Sequence, residues 1–266
     1  MKVLISESKG MKNIQVSEEL LNKMMEELSK LNLPIVFKGK MIANLALRNN
    51  NINTNKIMKR GTKDIDGDYI DIDNITMNIL FSYIEKASKS INPNYSVEIF
   101  REFKENQSAG FKILENGKPL FSIDISVRKN PYAKIYLSFN NIPIQGQKEI
   151  KMVVDKLSII SSRKVYRRSH DLVDLYNLIL TVTDITLYEI LSIVKDCNKE
   201  IEDFYDLINH KDKVEHAYNK LNGILNKKGF EEVYNILLAF FEPFINKKYN
   251  SNLKWDVSSY KWVLTE

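Results

Sequence analysis

The pattern of apolar and polar positions divides the chain into two halves of different character. In the first half, Leu20, Leu21, Met24, Met25 and Leu28 recur at helical spacing and predict a helix over residues 17–31, with Ser17 as its N-cap. A strand over 34–37, a helix over 41–48 and an Asn-rich loop over 49–55 follow. Residues 63–72 read as a strand, and Asn74 as the cap of a helix running from Ile75 to about Ser90. The period then shortens. Residues 95–104, 110–114, 120–127 and 134–139 read as strands, separated by Asn106-Gln107-Ser108, Asn116-Gly117-Lys118-Pro119 and Lys129-Asn130-Pro131. Asn116-Gly117 is a hairpin signal, because both residues tolerate the positive φ of a tight turn.

From Lys148 to about Lys247 the spacing is helical. Leu172, Leu175, Leu178 and Ile179 make one stripe, Leu187, Ile190, Leu191 and Val194 a second. Leu221, Ile224 and Leu225 make a third, and Val233, Leu237, Phe240 and Phe241 a fourth that ends near Pro243. The expected fold is α+β: a mixed sheet with flanking helices over residues 1–146, then a helical bundle over 147–266, with the boundary near Gly146. Trp255, Trp262, Tyr249 and Tyr260 are expected to pack the C-terminus onto the core rather than to stack on bases.

Composition narrows the classes. The 266 residues are 44% hydrophobic and 27% charged, as in ordinary globular chains. No apolar run approaches the ~20 residues that span a bilayer, and the apolar run after Met1 is too short for a signal peptide. Cys197 is the only cysteine, which excludes an intrachain disulfide and makes a cytoplasmic setting the default. The net charge of +5 is local: between Gln147 and Arg168, seven basic residues face two acidic ones. Such a window suits a phosphate-rich partner or a solvated helix face.

The chemistry concentrates in Arg60-Gly61-Thr62-Lys63-Asp64-Ile65-Asp66. Residues two apart on a strand share a face, so Asp64 and Asp66 aim two charges at one point. A divalent cation relieves that repulsion, and hard carboxylate oxygens suit Mg²⁺ or Mn²⁺. Asp124, alone among Phe121, Ile123, Ile125 and Val127, needs a metal, a cation such as Arg128, or a strand end near solvent where it caps a loop. Three carboxylates on neighbouring strands suit two-metal phosphoryl transfer, with metals about 3.5–4 Å apart. A calcium loop counted from Asp64 fails, because its sixth and twelfth positions hold Tyr69 and Ile75. Upstream, Gly39 stands between a strand and a helix, where backbone can approach a phosphate. Downstream, Lys156 and Arg163 are seven apart and read as one helical face directed at one phosphate cluster. Asp171 and Asp174 share a helix face, with Arg167 and Arg168 as local partners. His170, His210 and His216 form no zinc-like pattern with Cys197.

The order of strand, glycine turn, helix and Arg-x-Thr-x-Asp-x-Asp resembles the polymerase-beta-type nucleotidyltransferase superfamily. With Lys156-Leu157-Ser158 and Arg167-Arg168-Ser169-His170-Asp171-Leu172-Val173-Asp174-Leu175, it is most similar to AbiEii-type abortive-infection toxins of type IV toxin–antitoxin systems, over roughly residues 33–180. The resemblance implies a Mg²⁺-dependent nucleotidyltransferase. Asp64, Asp66 and Asp124 would hold metal, Asp124 would act as general base, and Asp171 would orient Lys156. Gly39, Lys40, Thr62, Lys156 and Arg163 would bind the NTP. It also implies a toxin linked to phage defence, with an RNA acceptor (the tRNA 3′ end) and a cognate antitoxin protein. Lys40 and Met41 depart from the family, which has a second Gly or a Ser and then a small hydroxyl residue; Lys40 either replaces that phosphate contact or alters nucleotide binding. Two alternatives share the scaffold: a kinase-like phosphotransferase acting on a protein, and a non-catalytic nucleotide- or RNA-binding protein.

Overall fold

The computed structural model of the chain describes residues 18–50, 57–73, 75–103, 108–247, 249–250 and 252–265. Helix α1 (Glu18–Lys30) leads into β1 (Ile35–Lys38), which runs directly into α2 (Gly39–Asn49). Then come β2 (Lys59–Arg60), β3 (Asp64–Tyr69), α3 (Met77–Ile91), β4 (Tyr95–Arg101), β5 (Ala109–Glu115), β6 (Lys118–Val127), β7 (Ala133–Leu137) and β8 (Pro143–Gln147). The second half carries α4 (Glu149–Ser161), a 3-10 turn over Val165–Arg168, α5 (Ser169–Thr181), α6 (Leu187–Asp196), α7 (Tyr205–Asn209) and α8 (Lys211–Asn219). It ends with β9 (Ile224–Leu225), α9 (Phe230–Ile245), β10 (Leu253–Asp256) and β11 (Lys261–Leu264).

Seven strands form one mixed sheet in the order β4-β5-β6-β3-β1-β8-β7. At its centre β3 runs parallel to β6 and antiparallel to β1, and β1 runs parallel to β8. β3 ends at Tyr69 rather than at residue 72 because its neighbours end there: Tyr69 pairs with Ile35, the first residue of β1, and with Val127, the last of β6. The β5–β6 turn has the expected geometry, with Asn116 at φ 51° and Gly117 at φ 74°. Helix α3 starts at Met77, capped by the hydroxyl of Thr76, which accepts from the Ile79 amide at 3.3 Å. The expected caps Ser17 and Asn74, residues 51–55 of the expected loop, Lys104 of the expected strand and Asn106-Gln107 of the next turn lie outside the described residues.

Two features of the pattern mislead. β8 is absent from the sequence reading, since Pro143, Gly146 and two glutamines are poor strand formers. Packing overrides propensity here: Ile144 is fully buried, and Gly146 lies against Tyr136 and Ile42. The stripe Leu221, Ile224 and Leu225 is not a helix. Gly223, at φ 71°, turns the chain, and Ile224–Leu225 pairs antiparallel with Lys59–Arg60. One hydrophobic core runs from Leu21 and Met24 of α1 through the sheet to Phe240 of α9 and Trp255. Trp255 donates to the Ile179 carbonyl and Trp262 to that of Phe240, so the C-terminal hairpin docks on the helices as expected.

Candidate active site

The strand face that carries Asp64 and Asp66 opens onto a cleft of about 530 Å³. The alternation of β3 places Asp64, Asp66 and Asp68 on one side and Ile65, Gly67 and Tyr69 in the core. Asp124 is the lateral neighbour of Asp66, because β3 and β6 are parallel with Asp66 opposite Asp124. The structure therefore brings the three expected carboxylates to one region. Burial, with the charges of Asp64 and Asp124, pushes the Asp66 carboxyl up to about 6. Burial and Asp64 also raise Asp124, against the pull of Arg101.

The turn from β1 into α2 presses on these carboxylates. Gly39 has φ 73°, and a Cβ there would lie 2.6 Å from Oδ2 of Asp66. Only glycine fits, and its fit lets α2 begin two residues before the expected residue 41. Lys38, the α2 N-cap residue, makes no side-chain cap bond, so the first amides of α2 have no side-chain acceptor from it. Lys40 lies just inside the helix, 8% exposed, on the cleft wall. Burial lowers its pKa, partly offset by Asp174.

The opposite wall comes from the helical half. Lys156 Nζ of α4 donates to Asp171 Oδ1 at 2.5 Å and to Asp174 Oδ2 at 3.0 Å. Burial alone would lower the Lys156 pKa, but Asp174 and Asp171 outweigh it and hold the ammonium above its ordinary value. Asp174 also accepts a two-point contact from Arg60, with Nε at 2.9 Å and Nη2 at 2.7 Å. Asp171 and Asp174 thus pair with Lys156 and Arg60, not with Arg167 and Arg168, whose exposed side chains line the cleft. Thr62, buried beside the cleft, donates through its hydroxyl to Asp64. Asn177 anchors the wall below by exchanging hydrogen bonds with the Met58 backbone at 3.1 and 2.7 Å.

Arg163 is not brought into this group. Helix α4 ends at Ser161, so the seven-residue spacing from Lys156 no longer marks one helix face. Lys164 turns the chain at φ 65°, and Arg163 instead pairs with Asp203 at 3.2 Å and stacks over the Tyr205 ring. The partner of Asp124 also differs from the expected one. Arg101, at the end of β4, donates to Asp124, while Arg128 donates to Asp68. Arg60, Lys38, Asp68 and Arg101 are site residues to which the sequence assigned no role. Arg60 opens the quoted motif, and Asp68 continues the alternation of Asp64 and Asp66. Nothing local points to Arg101.

No protein-family model and no curated protein sequence matches the chain. Solved structures do. The chain is similar to MenT4, a nucleotidyltransferase toxin from Mycobacterium tuberculosis H37Rv, with TM-score 0.51 and 12% identity over 91% of this chain and 85% of that one. The chain has a nucleotidyltransferase-like fold. The likeness extends across both the sheet and the helical half. Weaker likenesses are to an antigenic nucleotidyltransferase-like protein from Paracoccidioides brasiliensis (TM-score 0.41, 12% identity, 84% of this chain and 98% of that one) and to the Megavirus polyadenylate synthase (TM-score 0.37, 9% identity, 98% and 58%).

The donor set fits a divalent cation in part. Asp64 and Asp66 offer hard oxygens, and burial together with the charges of Asp64 and Asp124 raises the Asp66 carboxyl. Among the described residues, however, no three Asp, Glu, His or Cys side chains converge as a ready metal cage. Arg101 engages Asp124, so Asp124 is free for a metal only when that contact opens. Mg²⁺ commonly takes one or two carboxylates and completes its shell with water and substrate phosphates, and a pair of carboxylates is compatible with that habit. Among the described residues, no helix is long and apolar enough to cross a membrane.

Proposed function

We propose that this protein is a nucleotidyltransferase that moves a nucleotide from an NTP to an acceptor hydroxyl with release of pyrophosphate, and that it acts as the toxin of a toxin–antitoxin pair. The observation that carries the reading is the facing of Asp64 and Asp66 by Lys156, a buried lysine held charged between Asp171 and Asp174. Asp64 and Asp66 would hold Mg²⁺ or Mn²⁺, joined by Asp124 once Arg101 lets go. That metal would supply charge neutralisation at the phosphates. Lys156, Lys40 and the α2 N-terminus would bind the phosphates and stabilise the charge gathering on the departing pyrophosphate. The bond from the acceptor oxygen to the α-phosphorus forms as the bond from that phosphorus to the pyrophosphate oxygen breaks. Asp124, whose carboxyl is raised by burial and by Asp64, would take the acceptor proton.

The exposed cations Arg167 and Arg168 at the cleft favour a phosphate-rich acceptor, and RNA such as the tRNA 3′ end is the acceptor we infer. We infer the toxin role and a separate antitoxin from the AbiEii-like motif pattern, a reading that the likeness to MenT4, a nucleotidyltransferase toxin, supports. Incubating the protein with each labelled NTP, Mg²⁺ and total RNA tests the reading, with mass analysis of any product. A nucleotidyl adduct is expected. A bare phosphate on a protein would instead identify a phosphotransferase. One observation favours a second reading. Arg101 on Asp124 would suit a nucleotide-binding protein without turnover, marked by NTP binding with no product under any condition.

A further inference from the structure

A second set of charges lines the same cleft, and the transfer step above does not use it. Asp68 is buried and accepts from Lys38 at 2.5 Å, from Arg128 at 2.9 Å and from Asn130 at 2.9 Å. Asn130 donates on to Gln147 at 3.3 Å, and Gln147 to Asp155 at 2.9 Å. Asp155 in turn meets Lys151 at 2.6 Å and Lys199 at 3.3 Å. Burial would raise the Asp155 carboxyl, but its lysines outweigh burial and keep it ionised. Two carboxylates therefore carry four cations.

The cations of each pair are not equivalent. Lys38 and Lys151 are the inner ones, with side chains 18% and 8% exposed. Arg128 and Lys199 are the outer ones, at 51% and 32%, and both line the cleft. One cation suffices to neutralise the buried Asp68 and one the half-buried Asp155, so Arg128 and Lys199 are the surplus charges of the two pairs. A surplus of two positive charges on a cleft wall favours an anion there.

We propose that Arg128 and Lys199 form a second anion site that holds a backbone phosphate of a single-stranded polynucleotide acceptor. The inference rests on the transferase reading for the word acceptor, but the site itself stands on the charge pattern. A chain is favoured over a lone phosphate because partly exposed cations recur along one cleft, Arg167 and Arg168 at one place and Arg128 and Lys199 at another, with Asp64 and Asp66 lining it too. Repeated phosphates match repeated cations.

The test is direct binding without NTP and with chelator present. The affinity of a fluorescent single-stranded RNA of about 12 nucleotides, a length within the usual site range, is measured across a salt series for the wild type and for Arg128→Gln/Lys199→Gln. The variant should bind about tenfold more weakly at low salt, and its log–log salt slope should flatten by about 0.7, the value for one lost phosphate contact on a single strand. Its affinity for each of the four NTPs should stay within about twofold, and Arg128→Lys and Lys199→Arg should each keep RNA binding, since point charge is what the site supplies. The variant should fold, because Asp68 keeps Lys38 and Asp155 keeps Lys151; if its melting temperature falls, the Lys199→Gln single variant carries the comparison. Unchanged RNA affinity and slope would overturn the proposal. So would an equal loss of NTP affinity, which would assign these cations to the triphosphate, or no RNA binding by the wild type, which would point to a protein acceptor. Failure of the two readings is separable: RNA binding lost in the variant while the wild type transfers nothing refutes the transferase, whereas normal transfer with unaltered variant binding refutes the site.

Discussion

Asp66→Asn should make the metal-free protein more stable while abolishing transfer. Burial, and then the charges of Asp64 and Asp124, push the Asp66 carboxyl from the ordinary aspartate value of 3.8 up to about 6. Because the folded-state value lies above the unfolded one, protonation favours the folded state. The stability it contributes is fully present below pH 3.8 and is lost as pH rises through about 6. That rise from 3.8 to about 6 corresponds to about 3 kcal/mol at neutral pH and above. Asparagine keeps the shape and carries no charge, so the variant escapes that loss. For a chain of this size about 3 kcal/mol is worth about 6–12 °C in melting temperature. Thermal melts with chelator at pH 7.5 should show the variant above the wild type, and melts near pH 4 should show the two converging. Adding Mg²⁺ should raise the wild type and leave the variant nearly unmoved. A variant that melts at or below the wild type at pH 7.5, or a gap independent of pH, would refute the argument that these carboxylates are frustrated until a cation arrives.

Gly39→Ala should cost about 1–3 kcal/mol and weaken divalent-ion binding, because its Cβ would meet Asp66 Oδ2 at 2.6 Å in a backbone held at φ 73°; denaturant melts and Mn²⁺ calorimetry read the two effects. Lys156→Met should lower NTP affinity and transfer rate together, with a stability loss of about 3 kcal/mol, because Asp174 keeps Arg60 but the buried Asp171 loses its ion-pair partner. Wild-type NTP affinity in that variant would reduce Lys156 to a structural cation. Arg101→Gln should tighten Mn²⁺ binding severalfold in calorimetry without NTP, since it frees Asp124; unchanged affinity would place Asp124 outside the metal shell.

The parts of the site legible in the sequence are those governed by short-range geometry. Asp64 and Asp66 face one way because a strand alternates, and their neighbourhood follows from three consecutive residues. The contact from Lys156 to Asp171 was expected only through family resemblance, since the 3-10 turn that carries the chain from α4 to α5 has no periodic signature. Arg163 shows how such reasoning breaks: its spacing from Lys156 matters only while the helix lasts, and the helix stops two residues short of it. Contacts made across the fold had no sequence signal. Arg60 meets Asp174 across 114 residues, and Arg101 reaches Asp124 only because β5 lies between β4 and β6 and the register shifts near Arg101. The same is true of β8, whose poor strand formers are held by Ile144 and Gly146 packing against the core.

What the sequence hid is therefore mostly cationic. Asp64 and Asp66 announced themselves by alternation, whereas Arg60, Arg101, Lys38 and Lys199 find their partners by tertiary placement alone. This asymmetry bears on how the cleft works. The anions are confined to strands and helix faces fixed by the core, so their mutual distances are set. Several of the cations sit at element ends or in loops: Arg101 closes β4, Arg128 follows β6, and Lys199 lies between α6 and α7. Cations on long side chains at element ends can change partner at small cost in packing. On the transferase reading, a rigid set of acids flanked by exchangeable bases would release its internal counter-charges as metal and phosphate replace them, and Arg101 on Asp124 is the contact that would open for Asp124 to bind metal.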